Sequence, residues 1–391
     1  MTQTAILIFG EDVAWMLLQV TGITVLYFAV RKFMDEYRLS LSRLEGPFRK
    51  QTLSNPAEGL DINENEESRG SSAWASMGKA TPLHDLDYRV VEPLRIYKFS
   101  PKYFLTMGLQ KTDINGIIHI DSIYAERIRA RQNIVRQYPG ALDCLDSGVG
   151  MLNELYEFLV QEFLPHRYPT IFRLDFSIGA VENLVTNERL SLTAPTDRYE
   201  TLRKINRNID EDFLMLLPSP DCDGYSLQSF VWAYPVGFDP QSKLGINLRD
   251  AHQPVPGYKE KLGLSMDRYF SSLEPGNFKY RVNWAIATND NLCERGEYHL
   301  YPGQEPTETD FDLENCYVRC ELQTLFALPK SGGRILSVHL YLYPLQEIKD
   351  VGLGPEMAKA IDGLKIGNVP GFHRYKRAVV WGERVKEFLT N

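Results

Sequence analysis

Apolar side chains fall into two rhythms along this chain. Over residues 141–164 they recur at helical spacing, and His166, Tyr168 and Pro169 close that stretch. Residues 355–388 give further helical material, broken by Gly-Asn-Val-Pro-Gly. Between these lie runs that alternate with a period of two: Tyr225 to Tyr234, Tyr280 to Ala287, Cys316 to Leu325 and Arg334 to Tyr343. Turn formers such as Pro275-Gly276 and Ser331-Gly332-Gly333 bound them. Strands that follow one another without an intervening helix predict an antiparallel sheet in an α+β domain.

The alternation sorts the side chains. Val282, Trp284 and Ile286 oppose Arg281 and Asn283; Val318, Cys320 and Leu322 oppose Tyr317, Arg319, Glu321 and Gln323. In the last run Leu336, Val338, Leu340 and Leu342 oppose Ser337, His339 and Tyr341. One sheet face is therefore expected to pack on helices. The other carries Arg, Glu, Gln, His, Asn and Tyr, a mixture that suits either solvent or a cavity for an anionic or aromatic ligand.

The N-terminus has a different pattern. Val13 to Val30 holds no charge and one strongly polar side chain, Gln19, and as a helix it would rise roughly 27 Å, close to a ~30 Å hydrocarbon core. Glu11 and Asp12 precede it, whereas Arg31 and Lys32 follow, so a single span with the body in the cytosol is expected. The predicted order is a short lumenal N-terminus (1–12), an anchor (13–30), a juxtamembrane helix and polar tether (31–82) and a folded body (83–391).

Composition narrows the classes. The 391 residues carry a formal net charge of −8, which gives no basic face for nucleic acid. Five cysteines, without paired Cys-x-x-Cys units, indicate neither a disulfide framework nor a four-thiolate zinc site. No phosphate loop, GxGxxG, GxSxG or HExxH is present, and the nearest acidic pair, Asp221-Cys222-Asp223, reads as an ordinary turn. None of the seven histidines stands at a metal-pair spacing from another. His252 differs in its setting, Asp250-Ala251-His252-Gln253-Pro254-Val255-Pro256-Gly257-Tyr258, where two prolines stiffen the loop. Such a loop can hold an imidazole at a fixed angle to a metal, or merely shape a turn.

Several segments in order carry a resemblance: Met107-Gly108-Leu109, Asp210-Glu211-Asp212-Phe213, Tyr234-Pro235-Val236-Gly237-Phe238, Lys243-Leu244-Gly245, the His252 to Tyr258 loop, Arg281-Val282-Asn283-Trp284, and Arg319 to Leu325 with Leu328-Pro329 and Tyr341 to Leu345. From about Tyr97 to about Lys376 the chain resembles the haem-dependent oxidative N-demethylase-like family. The resemblance implies a PAS-like fold, haem b, dioxygen, and electrons from a separate NAD(P)H-dependent reductase. It makes His252 the axial ligand to iron and offers Arg281 and Arg319 for the haem propionates. Glu321 would hold a substrate amine or move protons, or else pair internally with an arginine; Asn283, Gln323 and Tyr341 would line the distal pocket. Two positions depart from the family pattern: Phe238 stands where tryptophan is frequent, and His339 where arginine is, which makes His339 a rival ligand or a distal donor. The anchor and tether resemble a eukaryotic, fungal-type branch.

Three functions remain at this level. The first is a haem monooxygenase oxidising a small organic substrate, an amine among the options, on the cytosolic side of an endoplasmic-reticulum membrane. The second is a membrane-anchored, haem-binding PAS module that senses or carries; the third is a tethered transferase or scaffold without a cofactor.

Overall fold

The computed structural model describes residues 74–219, 224–296, 298–306 and 311–391. The predicted span at 13–30, the juxtamembrane helix, most of the tether and the turn at 221–223 lie outside the described residues. Among the described residues no helix is long and apolar enough to cross a membrane.

The predicted strands form. They are β7 (Tyr225–Val231), β8 (Phe278–Ala287), β9 (Tyr317–Ala327) and β10 (Arg334–Pro344). Three more join them: β1 (Gln110–Thr112), β2 (Leu142–Cys144) and β6 (Asp212–Pro218). Together they make one seven-stranded antiparallel sheet in the order β1-β8-β9-β10-β6-β7-β2. A small hairpin sheet, β3 (Phe172–Asp175), β4 (Ala180–Asn183) and β5 (Glu188–Ser191), stands apart from it.

Two expectations change. Leu142–Cys144, read as the start of a helix, instead pairs with β7 through Leu142 and Val231, and the helix α2 begins only at Val149 and runs to Glu157. Leu142 and Cys144 are both buried there, so a three-residue edge strand imitates one helical turn. Packing also starts before Leu83, because Trp74, Met77 and Ala80, which fall in the predicted tether, are buried in the core.

One sheet face is packed. Phe213, Met215, Ile335 and Phe326 meet α2 and the π-helical segment that follows it (Phe158–Phe163), at roughly 1.5–3 kcal/mol for each large side chain fully withdrawn from water. Helices α1 (Tyr124–Gln137), α3 (Leu164–Arg167) and α4 (Arg198–Asn208) extend that layer. Near the other end Val318, Cys320, Tyr341 and Tyr343 form a cluster with C-terminal side chains such as Met357, Ile361 and Trp381. On the opposite face, the short helices α5 (Leu248–Ala251), α6 (Tyr258–Lys261) and α7 (Gly263–Ser272) roof the sheet. Four C-terminal helices complete the body: α8 (Leu345–Asp350), α9 (Gly354–Ile366), α10 (Phe372–Tyr375) and α11 (Ala378–Thr390). The predicted break at Gly-Asn-Val-Pro-Gly falls between α9 and α10.

Candidate functional site

Beneath that roof lies a cavity of about 510 Å³, inside the range of roughly 300–1,000 Å³ common for pockets that enclose an organic ligand. The register of β8 on β9 builds its polar floor. Arg281 faces Gln323 across the two strands, and Asn283 faces Glu321. Arg281 Nε donates to Gln323 Oε1 at 2.7 Å, and Gln323 Nε2 donates to Glu321 Oε2 at 2.9 Å. Leu214, Leu325 and Leu336 continue the same face as an apolar wall.

His252 enters from the roof. Asn247 caps α5 by accepting from the Asp250 amide, and the helix ends at His252. The His252 Nδ1 lies 2.8 Å from the Leu248 carbonyl oxygen. A carbonyl can only accept, so Nδ1 carries the proton, and in the neutral ring Nε2 keeps its lone pair. Nε2 has no hydrogen-bond partner among the described residues. Burial lowers the His252 pKa to about 4, a shift the Leu248 contact opposes and the Arg281 and Lys243 charges reinforce. The Tyr258 ring stacks on the imidazole at 4.5 Å between centroids and 10° between planes. Gly257 makes this possible: its φ is +71°, and a Cβ there would meet Val369 at 2.9 Å.

Sequence reasoning missed three cavity residues. Lys376, 7% exposed, donates to Asn283 Oδ1 at 3.2 Å and to the Trp284 carbonyl, with its ammonium near the Trp284 and Tyr103 rings. Burial brings its pKa down to about 8, although the nearby Glu321 works the other way. His299 stacks on Tyr375 at 4.3 Å; its Nδ1 is buried without a partner, and burial takes its pKa down to about 3. The neighbouring Tyr298 hydroxyl is likewise buried and unpartnered. All three sit on loops or at the end of a four-residue helix, where no periodic signal exists.

Two expected site residues lie elsewhere, and a third, Arg319, lines the cavity with its bonds made to backbone carbonyls. Arg319 touches the cavity, yet Nη2 donates to the Tyr234 carbonyl at 2.8 Å and Nη1 to those of Leu292 and Asn291 at 3.1 and 3.3 Å. Three of its five N–H groups are so used, which leaves Nε–H and one Nη2–H, so this guanidinium chiefly braces two loops. His339 and Tyr341 lie on the other face of the sheet, because β10 sets them opposite Leu322 and Cys320 rather than opposite Gln323 and Glu321. There His339 Nδ1 lies 2.8 Å from Glu211 Oε1, in an internal cluster with Asp210 and Arg127. Neither residue lines the cavity.

Residues 108–386 match the family model described as haem-dependent oxidative N-demethylase, alpha subunit-like. The chain belongs to this family. Oxidative, haem-dependent chemistry is therefore the frame for the cavity.

The residues of this haem-dependent demethylase-like chain fit such a group. Haem is a flat apolar disc with two carboxylates, and among the described lining residues Lys98, Lys243, Arg281, Arg319 and Lys376 are cationic, whereas Glu321 alone is acidic. No group of three or more His, Cys, Asp or Glu side chains stands ready for a bare metal ion among the described residues. A single imidazole suffices when the ligand brings the remaining donors itself, as a porphyrin does.

Proposed function

We propose that the chain is a haem-dependent monooxygenase, with haem b in the 510 Å³ cavity and a small organic substrate, an amine among the candidates, beside it. The observation that carries this reading is His252: neutral, oriented through Nδ1, with an open Nε2 in a cavity rich in cations. Bound haem supplies the activation of dioxygen and the oxidising power.

The protein's own share is binding and orientation. His252 offers Nε2 to the iron, and the Leu248 carbonyl fixes its tautomer. Among the described residues Arg281 makes contacts to Gln323 and, at 3.4 Å, to the Met107 carbonyl that leave Nη2 to serve a propionate. Gln323 orients the Glu321 carboxylate, which receives the substrate's N–H or takes up a proton. Asn283 positions the Lys376 ammonium. Arg319 positions the loops at 234 and 291–292.

The wider setting belongs to the same proposal. The antiparallel sheet with its ligand on one face is read as PAS-like. A separate NAD(P)H-dependent reductase delivers electrons. The segment 13–30 anchors the chain in the endoplasmic reticulum with the body in the cytosol, where that anchor would place it near a membrane-bound reductase; its lack of charge and the Arg31-Lys32 flank support this. The deciding experiment is an absorption spectrum of the purified chain after hemin addition. A Soret band lost or shifted in His252→Ala supports the reading, and a folded, colourless protein that takes up no hemin ends it. Haem uptake without turnover, given a reductase, dioxygen and amines, would leave the sensor or carrier.

A further inference from the structure

Glu321 and Lys376 carry opposite charges, share one cavity and yet do not pair. Across β8 and β9 Glu321 stands opposite Asn283, and directly opposed residues hold their Cβ atoms about 4.5–5.5 Å apart. Lys376 Nζ lies 3.2 Å from that same Asn283 side chain. The two charges are thus neighbours of one amide. No contact within 4.0 Å joins them; each is held by neutral partners, Gln323 on one side and Asn283 with the Trp284 carbonyl on the other.

Each keeps capacity in reserve. Glu321 accepts only on Oε2, so Oε1 takes no hydrogen bond from the described residues. Lys376 has three N–H donors and uses two. A split pair of this kind, in a site where charges interact strongly, suits a ligand that is itself doubly charged in the reverse sense. Around the gap stand aromatic surfaces: Trp284 and Tyr103 near the lysine, and the stacked His299 and Tyr375. Of these, the Tyr375 ring stands within electrostatic reach of Glu321, and such a ring accepts N-alkyl groups on a cationic nitrogen.

We propose that the gap between Glu321 and Lys376 recognises a zwitterion, a small N-alkylated amino acid, with its ammonium on Glu321 and its carboxylate on Lys376. This rests on the amine-oxidising reading above and names the substrate class for it. A simple amine would satisfy Glu321 and leave the buried lysine without a counter-charge. A simple carboxylate would do the reverse. Only a ligand carrying both groups completes the site.

The test uses the full-length chain and equilibrium dialysis with sarcosine, dimethylamine and acetate, with and without hemin. Sarcosine is expected to bind about tenfold tighter than either of the others. Lys376→Met should bring sarcosine down to the level of dimethylamine while changing dimethylamine by less than about twofold, and Lys376→Arg should keep the preference. Glu321→Gln should weaken both amines. Sarcosine binding no tighter than dimethylamine in the wild-type chain overturns the proposal, whatever the variants do. So does a Lys376→Met chain that loses hemin affinity but keeps sarcosine, which would make the lysine a propionate partner. Failure of the haem reading itself shows separately, as a wild-type chain that takes no hemin yet still discriminates sarcosine.

Discussion

The protonation of His252 is the most exacting consequence of the cavity geometry. A histidine in water titrates near 6.5, so at pH 5.5 only about one ring in eleven would be neutral. With the pKa lowered to about 4, about 97% remain neutral at the same pH. Metal binding needs the neutral ring, so an ordinary imidazole would lose hemin affinity about tenfold between pH 7.5 and 5.5, whereas the His252 term should stay flat within about 10%. The sign for stability follows. A depressed histidine pKa means that the folded state binds fewer protons, so this group's contribution is present above pH 6.5 and is lost as the pH falls toward about 4. The assay is ring NMR on the haem-free chain labelled at histidine, with His252→Asn to assign the signal. Two results are expected: no titration midpoint above pH 5, and the tautomer with the proton on Nδ1, since Leu248 can only accept. A midpoint near 6.5, or a proton on Nε2, would refute the argument that burial and one carbonyl prepare this ring for iron.

Other expectations follow from single contacts. Burial raises the Glu211 pKa; burial also pulls that of His339 down, but the hydrogen bond to Glu211 and the Glu211 and Asp210 charges together raise it, so the pair holds its proton more tightly when folded. Urea unfolding should show stability falling as pH rises above about 4.5 through Glu211 and further above about 6.5 through His339; Glu211→Gln should flatten that slope and cost roughly 3–5 kcal/mol, as broken buried pairs do. Gly257→Ala forces a side chain into a left-handed backbone against Val369, and should lower stability by about 1–3 kcal/mol in thermal unfolding while weakening hemin binding. Arg319→Ala strands the carbonyls of Tyr234, Leu292 and Asn291, so its main effect should be a lower Tm. Arg281→Ala should instead weaken hemin binding about tenfold with a smaller change in Tm, a contrast that fails if both act alike.

The period of two was enough to put Arg281 and Asn283 on one side of their strand, and Arg319, Glu321 and Gln323 on one side of theirs. It was not enough to join the faces of neighbouring strands. Which side of β10 matches which side of β9 depends on register, and a shift of one residue exchanges the two sets. The register pairs Tyr341 with Cys320, so His339 and Tyr341 of β10 leave the cavity and Leu336 enters it. Lys376, His299 and Tyr298 had no such signal at all, because loop residues meet a site only through the tertiary fold. The His252 loop was legible for the opposite reason: two prolines and a glycine constrain its backbone locally, and the structure shows that constraint setting the ring against Tyr258.

Both sheet faces carry buried charge, and what distinguishes them is balance. On the packed side Arg127 meets Asp210 at 3.2 Å, Arg131 meets Asp212 at 2.8 Å, and His339 meets Glu211 at 2.8 Å. The charges of that cluster are therefore balanced within the protein, although Glu211 Oε2 and His339 Nε2 remain buried without a hydrogen-bond partner. The cavity side sets Lys243, Arg281 and Lys376, beside an exposed Lys98 and an Arg319 held by backbone carbonyls, against one carboxylate, which accepts a hydrogen bond from Gln323 and pairs with none of them within 4.0 Å. A folded chain tolerates such an excess where water or a ligand supplies the missing negative charge. Composition alone cannot separate these cases, since arginine, histidine and glutamate occur on both sides. The partners decide: on the packed side each of these cations meets a carboxylate of the protein, whereas on the cavity side the one carboxylate meets an uncharged amide.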